Sequence, residues 1–259
     1  MNTRKPLVSV IMPCHNCEDT IIDSINSVLG QQLYNFELIV VDDKSTDGTL
    51  GILLNLKKKD QRIVIIENKL NLGAGPSRNI AIKRSKGDYI CFLDGDDYWL
   101  SDKLTKQINF MKEHNVNFSY TDFFEEYGGK KIYRKTKNST SSFTLLFSNP
   151  IPCITVMYKK ETYENIFQPS LRRAQDYGHW ALMLNSGNVA IRLKEPLSVY
   201  RRRRLGVKNS IKVISSYIYI VRNFYQYGGI IVLFSLPLFL INYFFIKVIR
   251  SIKYNSFYE

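Results

Sequence analysis

The N-terminal part of the chain alternates short apolar runs with longer segments whose apolar residues return at helical spacing. Runs of this kind predict β-strands, and the periodic segments predict amphipathic helices. Because strands and helices alternate, we predict a mostly parallel sheet with right-handed crossovers and flanking helices. The predicted strands span 7–12, 36–41, 62–66 and 89–93, and the predicted helices span 18–29, a segment that starts at 45–47, and 75–84.

The pattern changes after a further predicted helix at 100–113. Two apolar stretches on either side of Gly128-Gly129 indicate a β-hairpin. A strand at 154–158, a helix at 176–185 and a strand at 189–193 follow, and the globular part is expected to end near 195–210. We therefore predict an α/β domain with a Rossmann-like sheet over 1–204 and a helical tail over 205–259.

The predicted tail contains an apolar stretch at 229–246 that includes Ser235, Pro237 and Asn242. Its length is near the lower limit for a helix that spans a bilayer. Basic residues flank it on both sides, and Pro237 and Asn242 weaken a single span. We favour a helix or a helical pair lying in the membrane interface. A true span and a helix docked on the protein core are the alternatives.

Charge is distributed unevenly along the chain, whose formal net charge is +13. Residues 1–120 hold 15 basic and 15 acidic side chains, whereas residues 121–259 hold 21 and 8. This excess predicts an anionic partner for the C-terminal part. A membrane surface fits better than nucleic acid, because the basic residues flank the apolar stretch.

Four cysteines stand at positions 14, 17, 91 and 153. In a chain of this length they do not indicate a disulfide framework. Cys14 and Cys17 form a C-x-x-C pair, but no second pair accompanies it, so ordinary thiols are favoured over a zinc site or a redox pair. The N-terminus lacks the apolar region of a signal peptide, and we expect the protein to work in the reducing cytosol.

The segment Asp94-Gly95-Asp96-Asp97 closes the predicted strand at 89–93. Its three carboxylates repel one another unless a cation neutralises them, and hard oxygen ligands suit Mg²⁺ or Mn²⁺. Such ions usually keep some waters and bridge to a substrate phosphate. A metal–diphosphate site is therefore predicted, with a solvated acidic turn as the ordinary alternative.

Polar residues also follow the first two predicted strands, at 13–16 and 42–47. The carboxyl ends of parallel strands meet at one edge of a sheet, where ligands bind in open α/β folds. Carboxylates there can accept hydrogen bonds from a ribose hydroxyl or a ring N–H, which predicts a nucleotide cleft. The loop at 72–79 lacks the third glycine of a dinucleotide fingerprint, but a helix N-terminus with Arg78 can still meet a base or a phosphate.

Five ordered segments together resemble the family 2 glycosyltransferases, which have the GT-A fold. The segments are 8–16, 39–47, 72–79, 94–97 and 173–180, and the resemblance runs from about residue 8 to 204. It is nearest to the bacterial members that build O-antigen, capsule or teichuronic-acid repeat units. The resemblance implies a nucleotide-binding half at 1–98 and an acceptor half at 99–204.

The resemblance also implies an inverting hexosyltransferase that uses Mn²⁺ or Mg²⁺. Its expected donor is a UDP-sugar, and its expected acceptor is a saccharide carried on a lipid diphosphate. We then expect the enzyme to work at the cytoplasmic face of a bacterial inner membrane, held there by the tail.

Individual roles follow from the same resemblance. On the donor side, Asp42 would accept a hydrogen bond from uracil or ribose, Arg78 would approach the base and diphosphate, and Asp96 would bind the metal. Asp94 would contact the ribose and a metal-bound water. The remaining residues expected to line the donor pocket are Pro13, His15, Asn16 and Gly95, with the qualification that the family more often has Tyr or Phe at the position of His15.

On the acceptor side, Asp176 matches the general base of the family, and Trp180 and Trp99 are expected near the acceptor. His179 is unusual for the family and is interpreted as an ordinary core or surface histidine. A carboxylate that removes the acceptor proton on the face opposite the leaving diphosphate would invert the anomeric carbon in one displacement.

Two other functions remain open at this point. A nucleotidyltransferase acting on a sugar phosphate would need a glycine-rich, basic loop after the first strand, which residues 13–19 do not supply. A catalytically inactive binding protein could keep the fold, although the presence of Asp94, Asp96 and Asp176 argues against it.

Overall fold

The structure is a computed structural model that describes residues 5–171, 173–185, 187–202, 210–225 and 228–255. Its strands are β1 (Val8–Cys14), β2 (Phe36–Asp42), β3 (Ile63–Glu67), β4 (Tyr89–Phe92), β5 (Tyr98–Trp99), β6 (Phe118–Tyr127), β7 (Lys130–Arg134), β8 (Ser139–Thr140), β9 (Met157–Lys159) and β10 (Ala190–Arg201). Its helices are α1 (Ile21–Leu29), α2 (Thr49–Lys59), α3 (Ala74–Arg84), α4 (Lys103–Glu113), α5 (Ser142–Leu145), α6 (Gln175–Leu184), α7 (Ser210–Phe224) and α8 (Gly228–Asn255).

Ten strands form one mixed sheet in the part of the chain that the structure describes. The order is β3-β2-β1-β4-β9-β6-β10-β5, with β7 paired to β6 and β8 paired to β10. The first four strands in this order are parallel, and β9 is antiparallel to its neighbours β4 and β6. The predicted alternation of strands and helices in the N-terminal half is confirmed.

The apolar runs become strands because both faces of the sheet are covered. Every residue of β1 and β2 is buried. Successive side chains enter two different clusters, so Ile11 packs on the side of α3 and α6, while Val10 and Met12 pack on the side of α1 and α4. This period of two places each strand's alternate residues in two separate layers of core.

The part of the chain after residue 98 departs from the prediction in two places. Residues 153–155 form a 3-10 turn, and the strand there is the short β9 rather than 154–158. Strand β10 continues through Pro196 to Arg201, where we had expected the globular part to end. The register against β6 shifts on either side of Pro196, and such a bulge accommodates a residue that lacks an N–H donor.

The two C-terminal helices dock on the body of the protein. Tyr217, Ile220 and Val221 of α7 and Phe239 of α8 are buried in the same cluster as Trp180 of α6. The rings of Tyr217 and Phe239 stack with centroids 3.9 Å apart. The inner face of the tail therefore matches the docked alternative, and the described helices include none long and apolar enough to cross a bilayer.

The outer face of α8 carries a stripe of exposed apolar side chains. Leu233, Phe234 and Ile241 are 73%, 75% and 64% exposed. Ile230 and Phe244 extend the stripe in both directions along the helix, and Leu238 lies within it. We call these six residues the α8 stripe. Apart from the adjacent pair Leu233 and Phe234, they follow one another at intervals of three or four residues, which places them on one side of the helix, away from the buried Ser235 and Phe239.

Candidate active site

A pocket opens at the carboxyl edge of β1, β2 and β4. The turn after β1, the start of α3 and the acidic segment after β4 form its walls. The edge is the one at which open α/β folds bind ligands. The lining residues are Pro13, Cys14, His15, Cys17, Asp43, Ala74, Arg78, Asp94, Gly95 and Asp96.

The acidic segment is anchored to its surroundings through Gly95. The Gly95 carbonyl accepts hydrogen bonds from Thr20 Oγ1 at 2.9 Å and Ser24 Oγ at 3.0 Å. A Cβ at Gly95 would lie 3.0 Å from Cys14 Cβ and 3.0 Å from Cys17 Sγ, so a side chain would not fit without movement. Glycine is therefore needed here for close packing, and Asp94 and Asp96 are held on either side at the pocket wall.

Arg78 contacts the acidic segment from α3. It forms an ion pair with Asp94 Oδ1, and its Nη1 donates to Gln168 Oε1 at 3.4 Å. Its Nε is buried without a partner. A buried guanidinium with a donor to spare suits an anionic ligand such as a diphosphate.

Asp97 differs from Asp94 and Asp96 because it faces away from the pocket. It is 1% exposed, its Oδ1 accepts the backbone N–H of Arg201 at 2.7 Å, and its Oδ2 has no partner. Burial raises its pKa well above the ordinary range, and the charges of Asp96 and Asp94 raise it further. Asp97 therefore joins the acidic segment to β10.

The two aspartates at the end of β2 have different surroundings. Asp42 accepts from the backbone N–H of Ser45 at 3.1 Å and from Ser45 Oγ at 2.5 Å, and it does not line the pocket. Asp43 lines the pocket and accepts from the N–H groups of Leu72 and Gly73 at 2.9 and 2.7 Å. The geometry thus gives no support to the predicted contact of Asp42 with the nucleotide.

Asp43 was missed by sequence reasoning, although a signal existed. Ile39 and Val41 pack on the α3 side of the sheet, and the same alternation places Asp43 on that side. Burial would raise the pKa of Asp43, but hydrogen bonds from Asn68 and from the backbone of Leu72 and Gly73 outweigh it, and the pKa is lowered. Asp43 therefore stays ionised and holds the loop at the mouth of the pocket.

The turn after β1 places His15 in the pocket and uses Asn16 for support. Asn16 adopts a left-handed conformation with φ of 50°, which asparagine tolerates. Its Oδ1 accepts from Thr46 N at 2.8 Å, and its backbone N–H donates to Ser45 Oγ at 3.1 Å. His15 and Pro13 line this pocket, whereas Asn16 ties this turn to the turn after β2.

Asp176 reaches this region from the first turn of α6. The start of α6 packs closely on α3, because a Cβ at Gly75 would lie 2.8 Å from Gln175 Cγ. Asp176 and Arg78 are close enough to interact electrostatically, and Asp94 acts on Asp176 as well. Asp176 is therefore within electrostatic range of Asp94, although the two are far apart in sequence.

The pKa of Asp176 is raised. Burial is the main cause, and it is partly offset by the backbone N–H of Tyr177, which donates to Oδ1 at 2.8 Å, by the charge of Arg78 and by a hydrogen bond with Asn149. A raised pKa makes a carboxylate a stronger base. Asp176 is not among the residues that line the pocket, but its raised pKa is the proton affinity that a general base would need.

Three aromatic residues near the site belong to the core. Trp180 is fully buried and donates its Nε1–H to the Ile151 carbonyl at 3.2 Å. Trp99 is 3% exposed and donates to the Ile154 carbonyl at 2.9 Å. Neither ring offers surface to an acceptor, so the geometry does not support their predicted acceptor contacts. His179 is fully buried against Trp180, as the interpretation of a core histidine requires.

The carboxylates that line the pocket are suited to a divalent ion that also binds a substrate phosphate. Among the described residues, no group of three His, Cys, Asp or Glu side chains is arranged to hold a metal. Asp94 and Asp96 nevertheless line the same pocket, and their carboxylates are the hard ligands that Mg²⁺ and Mn²⁺ prefer. Sites of this kind complete their coordination with water and diphosphate oxygens.

Comparison with known proteins gives consistent results. Residues 9–189 match the model of the family described as glycosyl transferase family 2. TuaG of Bacillus subtilis (strain 168), named for teichuronic acid biosynthesis, is 40% identical over 214 residues, which cover 82% of this chain and 83% of TuaG. WfaP of Escherichia coli is named a UDP-Glc:alpha-D-GlcNAc-diphosphoundecaprenol beta-1,3-glucosyltransferase; it is 37% identical over 183 residues, 70% of this chain and 71% of WfaP.

Solved structures share the fold. S. aureus TarS 1-349 in complex with UDP-GlcNAc has a TM-score of 0.70 at 23% identity and covers 90% of this chain and 71% of that chain. The mannosyltransferase PcManGT from Pyrobaculum calidifontis, in complex with GDP-Man and Mn²⁺, has a TM-score of 0.63 at 18% identity, over 85% and 64% of the two chains. These similarities confirm the predicted sheet with flanking helices.

Proposed function

This chain belongs to glycosyl transferase family 2, and we propose that it transfers a hexose from a UDP-sugar to a saccharide on a lipid diphosphate. We further propose that the reaction inverts the anomeric carbon, needs Mn²⁺ or Mg²⁺, and serves the synthesis of a bacterial surface polysaccharide. The family membership argues against a nucleotidyltransferase.

The placement of Arg78 carries the proposal. Arg78 pairs with Asp94 at the pocket wall and also interacts with Asp176 at the start of α6. The guanidinium therefore contacts the acidic segment and is within electrostatic range of the candidate base. A sugar whose diphosphate contacts Arg78 would have its anomeric carbon near both groups, and this arrangement is required for in-line transfer.

Each of these side chains then has a separate role in the proposed reaction. Asp94 and Asp96 would hold the metal, which when bound supplies positive charge that stabilises the leaving diphosphate. Arg78, which lines the same pocket, would place its positive charge beside that diphosphate. Asp176 accepts the proton of the acceptor hydroxyl as that oxygen attacks the anomeric carbon. Attack opposite the leaving group turns an α-linked donor into a β-linked product.

Relatives guide the choice of donor and acceptor. WfaP and WfgD are both named for transfer from UDP-Glc to alpha-D-GlcNAc-diphosphoundecaprenol. TarS was solved with UDP-GlcNAc and with UDP. These names support a uridine nucleotide and a polyprenyl-diphosphate acceptor for this chain.

The donor is tested by measuring thermal stabilisation and hydrolysis with UDP-, GDP- and dTDP-sugars, each with Mn²⁺, with Mg²⁺ and with EDTA. We expect metal-dependent stabilisation by UDP-sugars and slow metal-dependent hydrolysis of the preferred one. Stabilisation by GDP- or dTDP-sugars alone would exclude the uridine donor, and equal effects in EDTA would exclude the metal.

We also propose that the α8 stripe rests in an anionic bilayer at the cytoplasmic face of the inner membrane. Ten basic residues and one acidic residue follow Leu197, so a second copy of the chain would be repelled, whereas an anionic lipid surface would be attracted. Helices α7 and α8 both pack against α6, which carries Asp176, and the rings of Phe239 of α8 and Tyr177 of α6 have centroids 6.5 Å apart. The stripe would therefore place the acceptor side of the site close to lipid-linked saccharides.

Exposed stripe residues can be changed without disturbing the core. Replacing Leu233, Phe234 and Ile241 with serine should weaken binding to phosphatidylglycerol vesicles by at least about tenfold, because three large apolar contacts are lost. Leu54→Ser, on the exposed side of α2, is the matched control and should bind like the unchanged protein. Undiminished sedimentation of the triple variant would place the contact with lipid elsewhere.

A further inference from the structure

Cys14 and Cys17 line the pocket, and the proposed transfer gives neither of them a role. Cys14 is the last residue of β1, and Cys17 stands four residues before α1 begins. Both thiols are free, and each residue is 5% exposed. Their accessible surface therefore lies where a ligand of the pocket would sit.

The two side chains converge on Gly95. The position of a Cβ at Gly95 is 3.0 Å from Cys14 Cβ and 3.0 Å from Cys17 Sγ, so both cysteines reach one point beside the acidic segment. Interaction between the thiols also raises the pKa of Cys14 and lowers that of Cys17. A C-x-x-C pair with this proximity can close into a disulfide after a small backbone adjustment.

We propose that Cys14 and Cys17 form a modification site at which a small organic disulfide, entering through the donor pocket, produces an intramolecular bridge that blocks donor binding. The thiolate of Cys17 would attack one sulfur of the reagent, form a mixed disulfide and release one thiolate. The deprotonated Cys14 sulfur would then attack Cys17 Sγ and release the second. The reagent thus gains two electrons and two protons, which the two cysteine thiols lose.

The bridge would act on the donor through two connections. Gly95 lies against both cysteines, and its carbonyl is held by Thr20 and Ser24, so movement of the thiols shifts the segment that carries Asp94 and Asp96. His15 and Asn16 lie between the bridged positions, so closing the bridge changes the turn that brings His15 into the pocket. Only this consequence, and not the sulfur chemistry, rests on the proposed function.

The remaining cysteines serve as internal references. Cys91 is fully buried in β4, and Cys153 lies in the 3-10 turn; neither lines the pocket. If the reagent modifies Cys14 and Cys17 but neither Cys91 nor Cys153, access through the pocket decides which thiols react.

The test uses the reduced full-length protein and 2-hydroxyethyl disulfide. Intact mass should fall by about 2 Da, and a peptide bridged between Cys14 and Cys17 should appear. Binding of UDP with Mn²⁺ should weaken at least about tenfold and recover with dithiothreitol. Saturating UDP with Mn²⁺ should slow bridge formation by a similar factor, because it fills the pocket.

Cys14→Ser and Cys17→Ser are each compared with their own untreated samples, and Cys153→Ser is the matched control. Cys17→Ser should keep its UDP affinity after the reagent, and Cys14→Ser should stop at the mixed disulfide on Cys17 without a bridge. The control should form the bridge and lose UDP affinity like the unchanged protein. Absence of the bridged peptide would overturn the proposal, and so would a bridge that leaves UDP affinity unchanged. If the untreated protein binds no nucleotide, the proposed donor fails, while the peptide measurement still decides the bridge.

Discussion

The sheet has an N-terminal half that we propose to bind the donor (the donor half) and a C-terminal half that we propose to bind the acceptor (the acceptor half). These two halves place their candidate functional side chains in different ways. In the donor half, β1, β2 and β4 are parallel, and their carboxyl ends deliver Pro13, Asp43 and Asp94 to one edge. In the acceptor half, Asp176 comes from the first turn of α6, whose position depends on contact with α3. Strand direction therefore builds the donor pocket, while packing between helices positions the candidate base.

This difference predicts that the two halves can be damaged separately. Changes in the donor half should weaken binding of the nucleotide, whereas changes at the start of α6 should slow transfer and leave the nucleotide bound. The following substitutions test that separation.

Asp176→Asn should have the largest effect. The amide keeps the size of the side chain but cannot accept the acceptor proton, so kcat should fall by roughly 10²–10⁴-fold. Transfer is measured with a UDP-sugar and a lipid-linked acceptor. Asp88→Asn is the control, because Asp88 precedes β4 and lies at the opposite edge of the sheet. Near-normal transfer by Asp176→Asn would remove this residue from the mechanism.

Asp96→Ala should lower the affinity for UDP in the presence of Mn²⁺. We expect a loss of roughly 10–100-fold, the scale on which metal sites respond to altered ligation. Titration calorimetry with Mn²⁺ and with EDTA measures it, and the variant should show little difference between the two conditions. A metal dependence equal to that of the unchanged protein would contradict the assignment of Asp96.

The sequence was sufficient for the donor half because its signals are local. Apolar runs such as 36–41 need only two covered faces to become buried strands, and β2 follows that prediction closely. The choice between Asp42 and Asp43 was harder, because it depends on which face α3 covers. The local pattern therefore predicted the strands and helices correctly, but it did not show which of the two adjacent carboxylates lines the pocket.

The acceptor half was predicted less well because its contacts join distant segments. Strand β5 has two residues and exists through pairing with β10, which lies about a hundred residues later. Trp180 was assigned to the acceptor because of the family resemblance, yet the docking of α7 and α8 completes a core around it. Such burial depends on tertiary packing that periodicity along the chain does not reveal.

Gly75→Ala should act on catalysis from a distance. The added methyl group would push against Gln175 and displace the start of α6, and a small displacement of a reacting group lowers kcat by about tenfold or more. UDP affinity should stay within about twofold, a change worth less than 0.5 kcal/mol. Gly51→Ala in α2 is the matched control, since nothing lies within 4 Å of its Cβ position. Equal effects of the two substitutions on kcat would contradict the packing argument.

His179 should make the acceptor half sensitive to acid. Burial is the main cause that lowers its pKa from 6.5 to about 4, and the charge of Arg78 lowers it further. The unfolded chain then binds a proton that the folded protein does not, so stability falls as pH decreases from 6.5 to 4, by about 3 kcal/mol. His179→Gln cannot be protonated in this range.

The free energy of unfolding of the unchanged protein and of His179→Gln is measured in urea at several pH values. The free energy difference between them should change across this window and stay constant above it, because contributions from the carboxylates cancel. A constant difference at every pH would show that His179 is not the acid-sensitive group.

The division between donor binding and base catalysis is tested most directly by measuring UDP affinity and kcat for Asp96→Ala and Asp176→Asn side by side. Our account predicts that Asp96→Ala loses UDP affinity with Mn²⁺, whereas Asp176→Asn binds UDP like the unchanged protein and loses turnover. A loss of UDP affinity in Asp176→Asn as large as that in Asp96→Ala would contradict the account.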